Sequence, residues 1–332
     1  MTEPGRAALL TAVKNEGPDL LEWVAYHRSI GFDPIVVYSN DCDDGSDVLL
    51  DALAQIGWVE HHRHQPPSGI APQDAVAALA WRNPTLRTAT WAMWLDADEF
   101  LNVKAPGGHV QDLIAAAGEA DAIAINWRNF GDSGLTDSPD GLVLRHFTQA
   151  APLDHRMSRT VKTLFRVSDK VESLFIHRPI WRPGPVTVLD GAGRKLPDDF
   201  IFARKDNARP EELVPKGRTS HKLAQINHYV IKALDRVAIK QRRGNGLVAG
   251  GGSSRFGLSY LRRFNRNDQE DRSIQPRIAA TQALIDEALS VPQVAAAYQA
   301  CQRAFLSALA EVRPITESLA AARADLAGSE DD

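Results

Sequence analysis

The chain has 332 residues, of which 44% are hydrophobic and 24% charged, a composition typical of a globular protein and not of a disordered, fibrous or membrane one. Its formal net charge of -4 argues against a protein that neutralises a nucleic-acid backbone, so no nucleic-acid partner is expected. No window reaches the roughly 18 apolar residues of a membrane span, and the N-terminus lacks the pattern of a signal peptide. Cys42 and Cys301 are far apart, which favours reduced thiols and a cytoplasmic location.

The first 130 residues alternate between strand-like runs and helical patterns, which is typical of βαβ units around a largely parallel sheet. The predicted strands, in chain order, are 7–13, 35–38, 58–61, 91–95 and 122–127. The helices predicted between them are 20–27, 48–56, 73–81 and 110–117. A sheet of this kind binds its ligands beyond the carboxyl ends of its strands.

The pattern loosens after about residue 130, where 160–167 is a strand candidate. The glycine-rich stretch 244–257 predicts a mobile loop, which we expect to close over a bound substrate. Residues 274–327 have a helical pattern and end in a short acidic tail. The apolar helices of this last part are expected to pack on the rest of the chain, and a dimer contact or a peripheral membrane contact is left open.

An apolar strand runs directly into three carboxylates, Asp96, Asp98 and Glu99. Burying such charges without partners is costly. Residues two apart on an extended chain face the same side, so Asp96 and Asp98 can converge on one cation. Their hard oxygens suit Mn²⁺ or Mg²⁺, which take further ligands from water and substrate phosphates. The alternative is a solvated turn that caps the next segment, but the position at the carboxyl edge of the sheet favours a metal site.

Two further polar segments follow the first two strands. The turn 39–46 contains Asn40, Asp41 and Asp44, whose oxygens could accept hydrogen bonds from a nucleobase or a ribose. The same residues suit a plain turn and helix N-cap, and both interpretations stay open. A second polar group, Lys14 to Glu16, follows the first strand and is expected to face the same crevice.

Together these segments resemble the nucleotide-sugar half of a GT-A glycosyltransferase. Blocks at 127–134, 227–232 and 240–244 extend the resemblance to the glycosyltransferase family 2-like group, in an uncharacterised bacterial branch, over about residues 7–245. The resemblance implies an α/β fold of the GT-A type, a Rossmann-like, mostly parallel sheet flanked by helices, with a helical C-terminal region. It further implies a nucleotide-sugar-binding half (1–130), an acceptor-binding and metal-closing half (131–270) and a helical extension (271–332).

The implied activity is the metal-dependent transfer of a sugar, with inversion, from a nucleotide-sugar donor to a glycan, lipid-linked or small-molecule acceptor. Asp96 and Asp98 would hold Mn²⁺ or Mg²⁺ against the donor diphosphate, and His228 would complete the metal site. The alternative for His228 is a buried histidine bonded to the backbone. The residues that would line the donor pocket are Lys14, Asn15, Glu16, Asn40, Asp41, Asp44 and Asp96.

An inverting enzyme also needs a base for the acceptor hydroxyl. Asp132, Asp154 and His155 are candidates, and Asp132 is preferred because it follows a strand end in a glycine-flanked loop. The basic stretch 156–166 could meet phosphates or form a solvated strand face. Zinc binding by the three histidines within 61–64 is disfavoured, because no further clustered ligand completes a tetrahedral set.

Two other functions compete with the transferase. One is a nucleotidyltransferase, for which the segment 14–17 is a poor phosphate loop. The other is a catalytically inactive GT-A-fold protein that binds glycans or acts as a scaffold. The sequence contains no P-loop, dinucleotide-binding or serine-hydrolase motif, so kinase, dehydrogenase and serine-hydrolase interpretations lack their signatures.

Overall fold

The computed structural model describes residues 5–203, 210–243 and 256–328, and every structural statement refers to these. The strands are β1 Ala7–Val13, β2 Ile35–Ser39, β3 Glu60–Arg63, β4 Trp91–Trp94, β5 Glu99–Val103, β6 Ala122–Asn129, β7 Gln149–Ala150, β8 Val161–Arg166, β9 Val171–Ser173, β10 Ile180–Trp181, β11 Val188–Leu189, β12 Ala224–His228 and β13 Gln269–Glu270. The helices are α1 Gly17–Ser29, α2 Ser46–Gln55, α3 Pro72–Ala80, α4 Pro84–Thr88, α5 Val110–Ala117, α6 Val143–His146, α7 Asp198–Ile201, α8 Leu234–Arg243, α9 Leu258–Phe264, α10 Ile278–Leu289 and α11 Pro292–Gly328.

One large sheet with the strand order β3-β2-β1-β4-β8-β6-β12-β5 organises the molecule, and β11 pairs with β6. The first four strands are parallel to one another, as are β6, β11 and β12. Strand β8 is antiparallel to both of its neighbours, and β5 is antiparallel to β12. The carboxyl ends of β3, β2, β1 and β4 therefore lie along one edge, where an α/β sheet binds its ligands.

The central strands are buried on both faces because helices cover both sides of the sheet. In β1, Leu9 packs into one apolar cluster and its neighbour Leu10 into another, as the alternation of side chains along a strand requires. The first cluster contains side chains of α1, α2, α5 and α10. The second contains side chains of α3, α4 and α7. The sheet, and with it the carboxyl edge, thus lies between two apolar layers.

The predicted fold class is confirmed, a mostly parallel sheet flanked by helices with a helical C-terminal region. The antiparallel strand β5 was missed, because its short sequence after the carboxylates has no period that separates it from a turn. Strand β3 begins two residues later than predicted. The C-terminal helix α11 packs on α1, α2 and α8, as expected.

Strands β8 and β12 of the second predicted segment lie within the same sheet as β1 to β6. Most of the predicted glycine-rich loop, residues 244–255, lies outside the described residues. Within the described part of the chain, no helix is long and apolar enough to cross a membrane.

Candidate active site at the carboxyl edge of the sheet

Asp96 follows β4 directly and is held by two neighbours. Its Oδ2 accepts a hydrogen bond from Lys162 Nζ at 3.1 Å, and its Oδ1 accepts one from Gln73 Nε2 at 3.2 Å. Lys162 lies on β8, the strand beside β4, and is fully buried. These two contacts fix the orientation of Asp96, and 27% of its side chain is exposed.

The ammonium group of Lys162 also contacts Glu99 Oε2 at 3.2 Å and donates to the carbonyl of Ile176 at 2.9 Å. Burial disfavours its charged form, but the carboxylates of Asp96 and Glu99 outweigh burial and raise the pKa of Lys162. Burial also raises the pKa of Glu99 well above its ordinary value. Lys162 is thus the charged anchor that sets the orientation of Asp96 from beneath the edge of the sheet.

Asp98 lies two residues further on and faces a different set of groups. Its Oδ2 accepts a hydrogen bond from Lys240 Nζ of α8 at 2.7 Å, and its Oδ1 is 3.6 Å from His228 Nε2. Burial alone would raise the pKa of Asp98, but Lys240 and His228 outweigh burial and hold that pKa well below its ordinary value. The carboxylate is therefore ionised throughout the physiological range.

His228 ends β12, where it pairs with Asn129 of β6 on one side and Glu99 of β5 on the other. Its Nδ1 lies 3.0 Å from Asn129 Oδ1, an oxygen that can only accept a hydrogen bond. With Nδ1 bonded to Asn129, Nε2 is the ring nitrogen that faces Asp98. The ring also packs against Trp127, with the ring centroids 4.3 Å apart.

The three predicted metal ligands do not come together as one set. The described residues contain no group of three histidine, cysteine, aspartate or glutamate side chains placed to hold one cation. The reason is that Asp96 is turned toward Lys162 and Gln73, whereas Asp98 faces His228. A carboxylate and an imidazole still suit a divalent cation that takes its other ligands from substrate phosphates and water, so Asp98 and His228 fit such a group.

The turns predicted to bind the donor are bonded to each other. Asn15 Oδ1 accepts from the backbone N–H of Asp43 at 2.9 Å. Asp44 accepts from the N–H groups of Gly17 and Ser46, both at 2.9 Å, and so holds the β2–α2 turn against the start of α1. For Asp44 the turn-and-cap interpretation is therefore the one that the contacts support.

The other predicted donor residues lie on the outer side of these turns. Lys14 Nζ is 3.9 Å from Asp41 Oδ2, and both side chains are about half exposed. Asn40 donates from Nδ2 to Asp41 Oδ2 at 2.9 Å. Glu16 donates its backbone N–H to Ser46 Oγ at 3.0 Å. These hydrogen bonds join the two turns to each other.

Asp132, the preferred base, is fully buried and saturated with hydrogen bonds. Its Oδ1 accepts from Gly134 N and Asn267 Nδ2, and its Oδ2 accepts from Asn265 Nδ2 and from Arg323 of α11 at 2.7 Å. A carboxylate with these partners ties a loop to the C-terminal helix and is not placed to take a proton from an acceptor. Its predicted role as base is therefore not supported by its surroundings.

The remaining candidates have ordinary structural partners or lie on the surface. His61 contacts Ser39 and Asp51, and His62 contacts Glu60 and Asn83, so these two histidines serve local hydrogen bonding. His155 accepts from the backbone N–H of Met157 at 3.3 Å. No zinc set of three ligands exists among the described residues.

Sequence reasoning missed the two lysines that neutralise the aspartates. Lys162 was grouped with a basic stretch, although residues 161 and 163–165 of β8 are uncharged and buried. A cation flanked by such residues indicates a buried acidic partner. Lys240 carried no comparable signal, because α8 is rich in basic residues along its whole length.

The family model and the curated relatives that match the chain name the same family. The model of Glycosyltransferase family 92 matches residues 16–191. A glycosyltransferase family 92 protein of Ricinus communis is 27% identical over 164 residues, 48% of this chain and 29% of that protein. One of Oryza sativa subsp. japonica is 26% identical over 155 residues, 44% of this chain and 25% of that protein. These matches span less than a third of the length of either plant protein.

Solved structures resemble the chain over about half its length. TarS of S. aureus in complex with UDP is 12% identical, with a TM-score of 0.33, over 49% of this chain and 47% of that chain. HddC from Yersinia pseudotuberculosis is 10% identical, with a TM-score of 0.28, over 48% of this chain and 76% of that chain. The prediction of a glycosyltransferase family is confirmed, but the matching family is 92 and not the family 2-like group.

Proposed function

Since the chain belongs to glycosyltransferase family 92, we propose that it transfers a sugar from a nucleotide-sugar donor to a hydroxyl group of a glycan, lipid-linked or small-molecule acceptor. The observation that carries the proposal is the meeting of Asp98, His228 and Lys240 at the carboxyl edge of the sheet. This edge is where α/β sheets bind nucleotides. Its charged groups are shielded from water, so they act more strongly on a diphosphate than they would in bulk solvent.

The proposal includes a divalent cation, Mn²⁺ or Mg²⁺, held by Asp98 and His228. When bound, such a cation stabilises the negative charge of the leaving diphosphate. Asn129 keeps Nε2 of His228 directed toward Asp98, as outer hydrogen bonds do for histidine ligands. Asp96 keeps its bond to Lys162 and contributes to donor binding through its exposed part.

The proposed reaction is a single displacement with inversion at the anomeric carbon. A bond forms between the acceptor oxygen and that carbon while the bond from the carbon to the phosphate oxygen breaks, and the nucleoside diphosphate leaves with the electron pair. The acceptor proton passes to a base. Because Asp132 is buried and saturated, Asp154 and His155 are the candidates that remain for this base.

A thermal-shift screen tests the proposal. UDP-, GDP-, CMP- and dTDP-sugars are added with and without Mn²⁺, since a ligand present at about 100 times its dissociation constant stabilises a protein by about 2.7 kcal/mol. We expect metal-dependent stabilisation by one nucleotide class, lost in Asp98→Asn and kept in the control Asp137→Asn, whose side chain is exposed. Stabilisation by none of the donors, with the protein folded, would contradict the proposal.

A further inference from the structure

Several polar atoms at the carboxyl edge are shielded from water and lack a hydrogen-bond partner. Among them are both ring nitrogens of His64 and Oε1 of Gln73. Buried donors and acceptors are paired in the great majority of cases, so unpaired ones need an explanation. A ligand that supplies the missing hydrogen bonds is such an explanation.

The contrast with neighbouring side chains makes these unpaired atoms informative. His61 and His62, on the strand that ends just before His64, both have hydrogen-bonded ring nitrogens. In the turns predicted to bind the donor, Asn15 and Asp44 each accept a hydrogen bond from a backbone N–H of the other turn. His64 therefore differs from the two histidines before it. Within the described part of the chain, the other side chains at this edge with an unpaired buried atom are Gln73, Trp94, Glu99 and Asn129.

His64 is fixed in place by the end of β3. Its backbone N–H donates to the carbonyl of Ser39 at 2.9 Å, which continues the parallel pairing of β3 with β2 by one residue. Its ring meets the ring of Tyr38 edge-on, with the centroids 6.2 Å apart. The imidazole thus lies beside the carboxyl end of β2, next to the turn that begins at Asn40.

Gln73 lies in the first turn of α3 and reaches the other end of the same edge. Its Nε2 donates to Asp96 Oδ1 at 3.2 Å, which leaves Oε1 without a partner. The ends of β3 and β4 are separated by β2 and β1, so three strand spacings of about 4.8 Å, roughly 14 Å, lie between them. A nucleoside with a hydrogen bond at each end extends over about this distance.

We propose that the nucleoside of the donor lies along this edge on the side covered by α3, with its base hydrogen-bonded by His64 and its ribose by Gln73. The proposal rests on the proposed nucleotide-sugar transfer and assigns the two residues that select the nucleoside. The ribose hydroxyls can donate to Gln73 Oε1 and to Asp96, both of which accept.

His64 is suited to hydrogen bonding with an uncharged nucleobase. Burial lowers the pKa of its ring below the ordinary value, with the nearby Asp41 acting in the opposite direction. The ring is therefore neutral at pH 7 and offers one donor and one acceptor. A site built to hydrogen-bond a ligand rejects analogues that lack the matching group, so His64 is expected to set the choice of base.

Calorimetric titration of the full chain with UDP, GDP, CDP and dTDP in the presence of Mn²⁺ tests this inference. We expect His64→Ala to weaken binding of the preferred nucleotide about tenfold or more. The differences in affinity among the four nucleotides should become smaller. Gln73→Ala should weaken all four nucleotides by a similar factor. His64→Asn, which keeps one donor and one acceptor, should restore part of the affinity, and Gln65→Ala, an exposed neighbour of His64, should bind like the unaltered protein.

The failures are distinguishable. If Asp98→Asn abolishes binding while His64→Ala and Gln73→Ala both bind every nucleotide as the unaltered protein does, the proposed function stands and this inference is overturned. If the unaltered protein binds none of the four nucleotides, both are overturned. Melting temperatures of all variants identify any that fail to fold. If His64→Ala fails to fold, His64→Asn is used as the conservative replacement.

Discussion

The ammonium nitrogen of Lys240 lies 2.7 Å from Asp98 Oδ2, so the aspartate proposed to hold a metal already has a cation beside it. A divalent cation and an ammonium group compete for the same carboxylate oxygens. We therefore expect Lys240→Met to bind Mn²⁺ about tenfold more tightly, a difference of ~1.4 kcal/mol. Calorimetric titration with Mn²⁺ measures the change.

Lys195→Met is the control for this experiment, because Lys195 is exposed and its partner Asp198 lies 3.8 Å away on the surface. It should bind Mn²⁺ as the unaltered protein does. Weaker Mn²⁺ binding by Lys240→Met would show that the ammonium group supports the metal site and does not compete with it.

Lys162 is the second buried cation, and here the expected effect is on stability. Lys162→Met leaves the carboxylate of Asp96 without its buried counter-charge, and removing one member of a buried ion pair typically costs about 3–5 kcal/mol. Urea unfolding measures the free energy of unfolding. The exposed pair of Lys195 provides the comparison, with an expected loss of about 0–1 kcal/mol. Equal losses in Lys162→Met and Lys195→Met would contradict this account of the anchor.

Asp132 offers a test that separates structure from catalysis. Asp132→Asn keeps the shape of the side chain but places an amide against donors such as Arg323, so the melting temperature should fall. The turnover of the folded variant should stay within a few-fold of the unaltered protein. A loss of turnover of a hundredfold or more with an unchanged melting temperature would instead identify Asp132 as the base.

A buried ion pair between Arg128 and Asp271, with 2.6 Å between Nη1 and Oδ2, predicts an acid-sensitive contribution to stability. Burial opposes ionisation of Asp271, but hydrogen bonds from Gln225 and Ser273 outweigh it and lower the pKa to about 2, from 3.8. The folded protein therefore holds this proton less tightly than the unfolded chain. The contribution is present above pH 3.8 and is lost as the pH falls toward 2.

Urea unfolding between pH 5 and pH 2 should show this loss, about 2 kcal/mol in size. Asp271→Asn should be less stable at pH 5 and should lose less stability on acidification than the unaltered protein. The control Asp137→Asn, at an exposed pair, should follow the unaltered protein. An identical pH dependence in Asp271→Asn would show that another group is responsible.

The parts of the fold that the sequence predicted are those with a strong local period. Strand Ala7–Val13 and helix Val110–Ala117 were located at their observed bounds, since a buried strand and an amphipathic helix have distinct patterns. The position of Asp96 and Asp98 after β4 also follows from local sequence. Strand Glu99–Val103 was not predicted, because its pairing with β12 joins residues more than a hundred positions apart.

The candidate site likewise combines features that follow from local sequence with features that depend on distant residues. Which carboxylates reach the edge could be predicted, whereas which cations face them could not, because Lys162 and Lys240 reach Asp96 and Asp98 only through tertiary packing. The burial of Asp132 likewise depends on Arg323, almost two hundred residues away along the chain.

The most direct test of the proposed function is the rate of sugar release from the nucleotide-sugar that stabilises the protein, measured in Mn²⁺ with and without acceptor. We predict that Asp98→Asn lowers this rate at least a hundredfold, since it removes a charge that acts in a water-shielded site. Asp137→Asn, with its exposed side chain, should keep the full rate. If Asp98→Asn, folded and with an unchanged melting temperature, releases sugar as fast as Asp137→Asn, the carboxylate at the edge of β4 is not part of the catalytic site and the account is wrong.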